Sequence, residues 1–184
     1  MGQLFFVTGG ARSGKSSYAE RLVARQLHAV TYLATLEPLD EEMRARIARH
    51  QGQRPEQWVT VEAPRALAKT YRELPDDQCV LLDCLSLWVS NRLLPLGEEP
   101  DVVAVAALEQ ELVAELVELL NVATSREADT IIVSNEVGSG VVPPSALGRV
   151  YRDLLGRANQ YVSAGADQAW LLVSGRALEL PSPE

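Results

Sequence analysis

Leu4-Phe5-Phe6-Val7-Thr8-Gly9-Gly10-Ala11-Arg12-Ser13-Gly14-Lys15-Ser16 decides how this chain is read. An apolar run of strand length enters a glycine-bounded loop, and Ser17-Tyr18-Ala19-Glu20-Arg21-Leu22-Val23 continues from it with helical character. Glycines at 9 and 14 let the backbone curl so that successive N–H groups point inward at phosphate oxygens, with the positive end of a helix behind them. In that spacing Lys15 reaches the β/γ-phosphates and Ser16 is placed to ligate Mg²⁺. Gly9, Gly10, Ala11, Arg12, Ser13, Gly14, Lys15 and Ser16 are therefore the candidate phosphate cradle, a glycine-rich turn after an edge strand being the plainer alternative. Composition favours the cradle. Of 17 basic residues only Lys15 and Lys69 are lysine, so a chain that otherwise uses arginine has lysine where a compact ammonium suits a phosphate.

The remaining composition bounds the function. With 184 residues, 47% of them hydrophobic, and no apolar run long enough to span a bilayer, the sequence reads as one soluble domain over 1–184. A net charge of −8 argues against a general nucleic-acid binder and for small, locally bound phosphate ligands. The start of the chain enters a strand without a charged and then apolar leader, so the cytoplasm is the expected compartment. Cys79 and Cys84 flank Val80-Leu81-Leu82-Asp83 and read as small buried hydrophobes, not as a disulfide or a metal pair.

Taken in order, the first helix is expected over Lys15 to about Leu27, followed by a strand at Ala29-Val30-Thr31-Tyr32-Leu33-Ala34. Ala34, Thr35 and Leu36 lie at its carboxyl end, where open α/β sheets bind ligands. Residues 40–50 carry acids first and arginines last, the charge order of a helix, with His50 at its exposed end and Gly52 as a cap. Gln57 to Glu62 reads as a short strand, and Pro64 as the first position of a helix to about Leu74. Cys79-Val80-Leu81-Leu82-Asp83 is a buried parallel strand ending in a carboxylate, which suits Asp83 to hold Mg²⁺ opposite the phosphate loop. Capping of a following helix is the other reading of Asp83. A long amphipathic helix is expected from Asp101 to about Ala123 and a strand at Thr130–Asn135. Next come a shaped loop at Glu136–Pro144, a helix over about Ser145–Ala164 and a last strand at Gln168–Val173. Strands alternating with helices give a mainly parallel central sheet flanked by helices, a three-layer α/β P-loop NTPase of the RecA-like type. Glu136 is a candidate base or metal-water ligand, or else a shaper of its loop. Arg149 and Arg152 are candidate phosphate neutralisers, or else surface groups paired with Asp153.

The blocks Thr8–Ser16, Tyr32-Leu33-Ala34-Thr35, Asp40-Glu41-Glu42-Met43 with Ile47, His50, Arg54-Pro55 and Trp58, Leu81-Leu82-Asp83-Cys84-Leu85, and Ser134-Asn135-Glu136-Val137-Gly138 occur in one order over most of the chain. Together they resemble the bifunctional adenosylcobinamide kinase/adenosylcobinamide-phosphate guanylyltransferases of cobalamin biosynthesis. The resemblance implies phosphorylation of adenosylcobinamide by ATP or GTP, then transfer of GMP from GTP through a guanylylated histidine, with Mg²⁺ as cofactor and a homotrimer as the assembly. It implies His50 as that nucleophile, Ala34, Thr35 and Leu36 as nucleotide-lining residues, Gln51, Gly52, Gln53 and Arg54 as its flank, and Glu62 and Asp83 as contacts to the guanylyl nucleotide or its metal. Leu36 and Pro144 differ from the small or polar and the acidic residues common in that family at those places. Apart from the resemblance, His50 reads first as a surface histidine at a helix C-terminus, where the dipole favours it, and only second as a nucleophile. Two other functions share parts of the pattern. A small-molecule P-loop kinase would use Lys15, Ser16 and Asp83 and leave His50 idle. A GTP-dependent switch would need an Asn/Thr-Lys-x-Asp guanine motif, which a chain with lysine only at 15 and 69 does not contain.

Overall fold

The computed structural model describes residues 1–37, 52 and 55–182. The expected 40–50 helix with His50, and Gln51, Gln53 and Arg54, lie outside the described residues.

Seven strands form one sheet in the order β3-β2-β4-β5-β1-β6-β7. These are β1 (Leu4–Gly9), β2 (Val30–Ala34), β3 (Val59–Glu62), β4 (Cys79–Asp83), β5 (Thr130–Asn135), β6 (Gln168–Val173) and β7 (Arg176–Leu180). All neighbours pair in parallel except β6 and β7. The helices among the described residues are α1 (Lys15–Val23), α2 (Leu67–Arg72), α3 (Leu85–Leu93), α4 (Val102–Ser125) and α5 (Ala146–Gly165), with a short 3₁₀ turn at Leu94–Leu96.

Strand alternation divides the core into two layers, because successive side chains point to opposite faces. Leu4, Phe6, Leu33, Val80, Leu82 and Ile132 pack against α2, α3, α4 and α5, with Trp88, Leu116 and Leu155 fully buried among them. Phe5, Val7, Tyr32, Leu81, Ile131 and Val133 face the other way, onto Ala19 and Val23 of α1. Both faces of β4 and β5 are covered, which is why their sequences are continuously apolar instead of alternating.

The element ends differ from the sequence expectation in physically instructive ways. Helix α1 stops at Val23, not Leu27; Arg25 and Gln26 bond back only three residues, and Leu27 is fully exposed, so no burial extends the helix. Helix α2 begins at Leu67, not Pro64, because the carbonyls of Pro64 and Arg65 are taken by Asn91 Nδ2 and Trp88 Nε1 from α3. Strand β3 is shorter than expected, since Trp58 N–H bonds Pro55 in a turn ahead of it. Helix α3 is present, but its N-cap is Cys84 and no side chain caps it, which removes the capping reading of Asp83. Asp101 and Ser145 do cap α4 and α5, their oxygens accepting from Val103 and Ala104 and from Gly148. Strand β7 lies beyond the last strand expected.

Candidate functional site

The phosphate loop leaves β1 at Gly9, where only hydrogen fits. A Cβ there would lie 2.6 Å from the Leu172 carbonyl oxygen and 2.7 Å from Ser13 Oγ. Gly14 has φ +96° and serves as N-cap of α1, a conformation that glycine adopts without a Cβ penalty. Between them Arg12 also takes a left-handed φ of 56°, and Ser13 N–H donates to Gly10 O at 3.3 Å. Lys15 folds back across this curl and donates to the Gly10 carbonyl at 3.0 Å. Burial pushes its pKa below the usual lysine value, with Cys84 and Asp83 pulling it the other way. Ser13 Oγ is buried and has no hydrogen-bond partner among the described residues.

Asp83 ends β4, separated from β1 by β5. Register puts Ala34 opposite both Glu62 and Asp83, so β3, β2 and β4 present Glu62, Ala34 and Asp83 in a row at one sheet edge. Tyr32 OH donates to Asp83 Oδ2 at 2.8 Å and fixes one carboxylate oxygen. Gln78, Thr31 and the core below are not part of this edge. Lys15 and Asp83 are thus close enough to interact at the mouth of the phosphate loop, and the half-buried Ser16 follows Lys15 in the first turn of α1.

Several expected residues take other positions. Thr35 has no exposed surface; its Oγ1 donates to Cys84 O at 2.7 Å and accepts from Cys84 N–H at 2.9 Å, while its carbonyl accepts from Asn91 Nδ2. Its side chain therefore underpins the β2 and β4 ends, around the cis Asp83–Cys84 peptide, and offers nothing to a ligand. Ala34 and Leu36 are half-buried, and Glu62 and Gly52 are exposed. Glu136 accepts from the N–H groups of Gly138 and Ser139, the loop-shaping arrangement, while its own N–H donates to Gly9 O at 2.9 Å. Arg149 donates to the carbonyls of Pro143 and Pro144, and Arg152 to that of Gly138. Both arginines hold the 136–144 loop, and no described ion pair joins either to Asp153. Asn135 Nδ2 donates to Ser86 Oγ, and its carbonyl accepts from Asn159, tying β5 to α3 and α5.

Two contributors escaped the sequence reading. Tyr32 reads in the sequence as a strand residue within one of the family blocks, with no role of its own at the site. The turn at Ser174-Gly175, joining β6 to β7, donates from Gly175 N–H to Ser13 O at 2.8 Å. A Ser-Gly pair between Trp170-Leu171-Leu172-Val173 and Arg176-Ala177-Leu178 was a readable hairpin signal.

The description "cobinamide kinase / cobinamide phosphate guanyltransferase" matches residues 5–180. The chain belongs to this family. It is accordingly a transferase that joins kinase and guanylyltransferase activities in cobalamin biosynthesis. The bifunctional adenosylcobalamin biosynthesis protein CobU of Escherichia coli (strain K12) is 41% identical over 180 residues, covering 96% of this chain and 99% of the relative. The corresponding CobP of Pseudomonas aeruginosa is 42% identical over 178 residues, covering 96% and 94%. Among solved structures, an ATPase of the type III secretion system of pathogenic bacteria aligns with a TM-score of 0.53 at 16% identity, over 94% of this chain and 51% of that one. That likeness is one of fold, the P-loop NTPase sheet described above. Among the described residues no helix is long and apolar enough to cross a membrane.

Proposed function

We propose that this member of the family phosphorylates the aminopropanol hydroxyl of adenosylcobinamide with ATP or GTP and then guanylylates the product through His50, one cytoplasmic domain housing both steps. The observation that carries the reading is Lys15, half-buried and drawn over the phosphate loop, with Asp83 at the same sheet edge. A lysine ammonium whose hydrogen bond among the described residues goes to a backbone carbonyl can turn to phosphate oxygens instead.

In the kinase step the acceptor hydroxyl attacks the γ-phosphorus, the bond to the β–γ bridging oxygen breaks, the nucleoside diphosphate leaves and the hydroxyl proton is released. Lys15 and the loop amides neutralise the charge that builds on the phosphoryl oxygens. In the second reaction an imidazole nitrogen of His50 attacks the α-phosphorus of GTP, forming a P–N bond as pyrophosphate departs. The phosphate of adenosylcobinamide phosphate then attacks that phosphorus, the P–N bond breaks and His50 is regenerated. Gln51, Gly52, Gln53 and Arg54 flank this nucleophile, and Glu62 and Asp83 bound the nucleotide. Glu136 serves as the organiser of its loop.

Mg²⁺ belongs to this reading. The Ser16 hydroxyl and the Asp83 oxygen that Tyr32 leaves free are hard oxygen donors, a set that fits Mg²⁺ completed by phosphates and water. When bound, the ion would neutralise phosphate charge and orient the transferring group. The assembly in this proposal is a homotrimer, which light scattering would report as three times the chain mass of 20.1 kDa.

Incubation with α-labelled GTP tests the covalent step. An acid-labile, alkali-stable label on the protein, absent from His50→Ala, is expected, while the His50→Ala protein keeps its kinase activity. A wild-type protein that takes up no label would sink the histidine step and leave a kinase alone.

A further inference from the structure

We infer that Gly175, in the β6–β7 turn, is a positioning residue for the nucleotide: it sets the shape of the phosphate loop from outside the loop. Three contacts put the turn against the cradle. Gly175 N–H donates to Ser13 O at 2.8 Å. A Cβ on Gly14 would lie 3.2 Å from Gly175 Cα, so loop and turn backbones are in van der Waals contact. Three residues before Gly175, in β6, Leu172 O and Cβ sit 2.6 and 3.2 Å from where a Gly9 Cβ would be. The hairpin thus touches the loop at its first glycine, at Ser13 and at its last glycine.

The turn supplies that amide because of its own backbone. Ser174 and Gly175 have φ of 51° and 79°, the paired left-handed conformation of a two-residue hairpin turn matched to strand twist. With both residues left-handed, the Gly175 N–H projects from the tip of the hairpin onto Ser13 O. Fixing Ser13 O in turn fixes the peptide plane from Ser13 to Gly14, whose N–H is one of the amides that would face phosphate. The β7 strand, exposed along most of its length, then has a use: it anchors the turn by pairing Val173 with Arg176 through to Ala169 with Leu180.

This rests on the phosphate-loop reading above and predicts a consequence that reading does not contain. A Cβ on Gly175 would meet nothing within 4 Å, so substitutions there change backbone preference without a clash. Gly175→Val, β-branched and poorly suited to positive φ, is expected to weaken binding of Mg-GTP and Mg-ATP by about tenfold or more. KM for nucleotide should rise in both reactions, with kcat at saturation changed much less. Gly175→Asn, which tolerates the left-handed conformation and keeps the N–H, is expected to stay within about threefold of the wild type. Circular dichroism and thermal melting establish that the variants are folded, and Gly175→Ala replaces the valine variant should that one be insoluble. Amide hydrogen exchange should slow across 173–180 on adding GTP to the wild type and not in the weak-binding variant.

Equal nucleotide affinity for folded Gly175→Val and the wild type would overturn the inference. Equal loss in Gly175→Asn and Gly175→Val would do so too, since the effect would then follow side-chain bulk. Lys15→Ala serves as the reference: if it loses nucleotide while Gly175→Val does not, the phosphate loop stands and the brace falls. Undiminished binding by Lys15→Ala would overturn the loop reading itself and the brace with it.

Discussion

Lys15 is held in a state that favours a ligand over the empty protein. Burial lowers its pKa, and the neighbouring Asp83 and Cys84 offset this only in part. Between that lowered value and the ordinary one, the unfolded chain binds more protons at this position than the folded chain, so its contribution to stability rises as pH rises through the window. Lys15→Met removes both the desolvation cost and this rise. The variant is expected to melt at or above the wild-type temperature without nucleotide, to lose the alkaline gain attributable to this group, and to lose nucleotide binding, as calorimetry with and without GTP would report. A variant clearly less stable than the wild type would contradict the assignment. Gly9 behaves oppositely, because its constraint is steric and permanent. The obstructing atom is the Leu172 backbone oxygen, which cannot swing away, so Gly9→Ala is expected to cost about 2 kcal/mol or more in urea unfolding as well as nucleotide affinity.

At the scale of elements, the edge of the sheet depends on polar staples that join segments distant in sequence. Arg126, fully buried at the end of α4, donates to the carbonyls of Leu74, Pro75 and Gln78 and lies 5.1 Å above the Tyr71 ring. It thereby fixes the connection from α2 into β4, the strand that delivers Asp83. Arg126→Met would leave those carbonyls without their donor in a buried setting. We expect a loss of about 1–3 kcal/mol in urea unfolding, the range for leaving buried acceptors without their donor. Thr35 with Cys84 and Asn91, and Ser86 with Asn135, do the same work at the top of the sheet. The 136–144 loop is held by Arg149, Arg152 and Glu136, so the charged residues that invited catalytic roles are largely spent on shaping the loop.

Across the whole molecule, buried acids dominate the response to alkali. Burial pushes the Cys79 thiol and the Tyr71 and Tyr151 phenols up to about 12 and the Cys84 thiol up to about 11, from ordinary values of 9.0 for cysteine and 10.0 for tyrosine. These groups stay protonated in the fold where they would ionise in the unfolded chain. Their stabilisation is complete below pH 9 and is lost as pH climbs through the raised values, the reverse of the Lys15 contribution. With Tyr18 raised as well, five such groups oppose Lys15 among the described residues, and the urea midpoint is expected to fall between about pH 9 and 11, less steeply in Tyr71→Phe.

The sequence by itself determined the elements whose signal is local: the strand, loop and helix around Lys15, the apolar strands β4 and β5, and Asp83 at a strand end. It did so because hydrophobic period, glycine placement and capping residues act between neighbours along the chain. Family membership was also legible, through blocks retained in order. Only the tertiary structure decided what each polar group near the site does. Strand β7 was missed because it is a short edge strand with exposed faces and little apolar periodicity to announce it. Thr35 looked like a ligand contact because nothing local shows that Cys84, 49 residues away in sequence, uses its hydroxyl. Gly175 is 162 residues beyond Ser13, and the two meet only because the sheet places β6 beside β1. Such contacts depend on strand order, which is set by burial summed over the whole chain and not by any stretch of it.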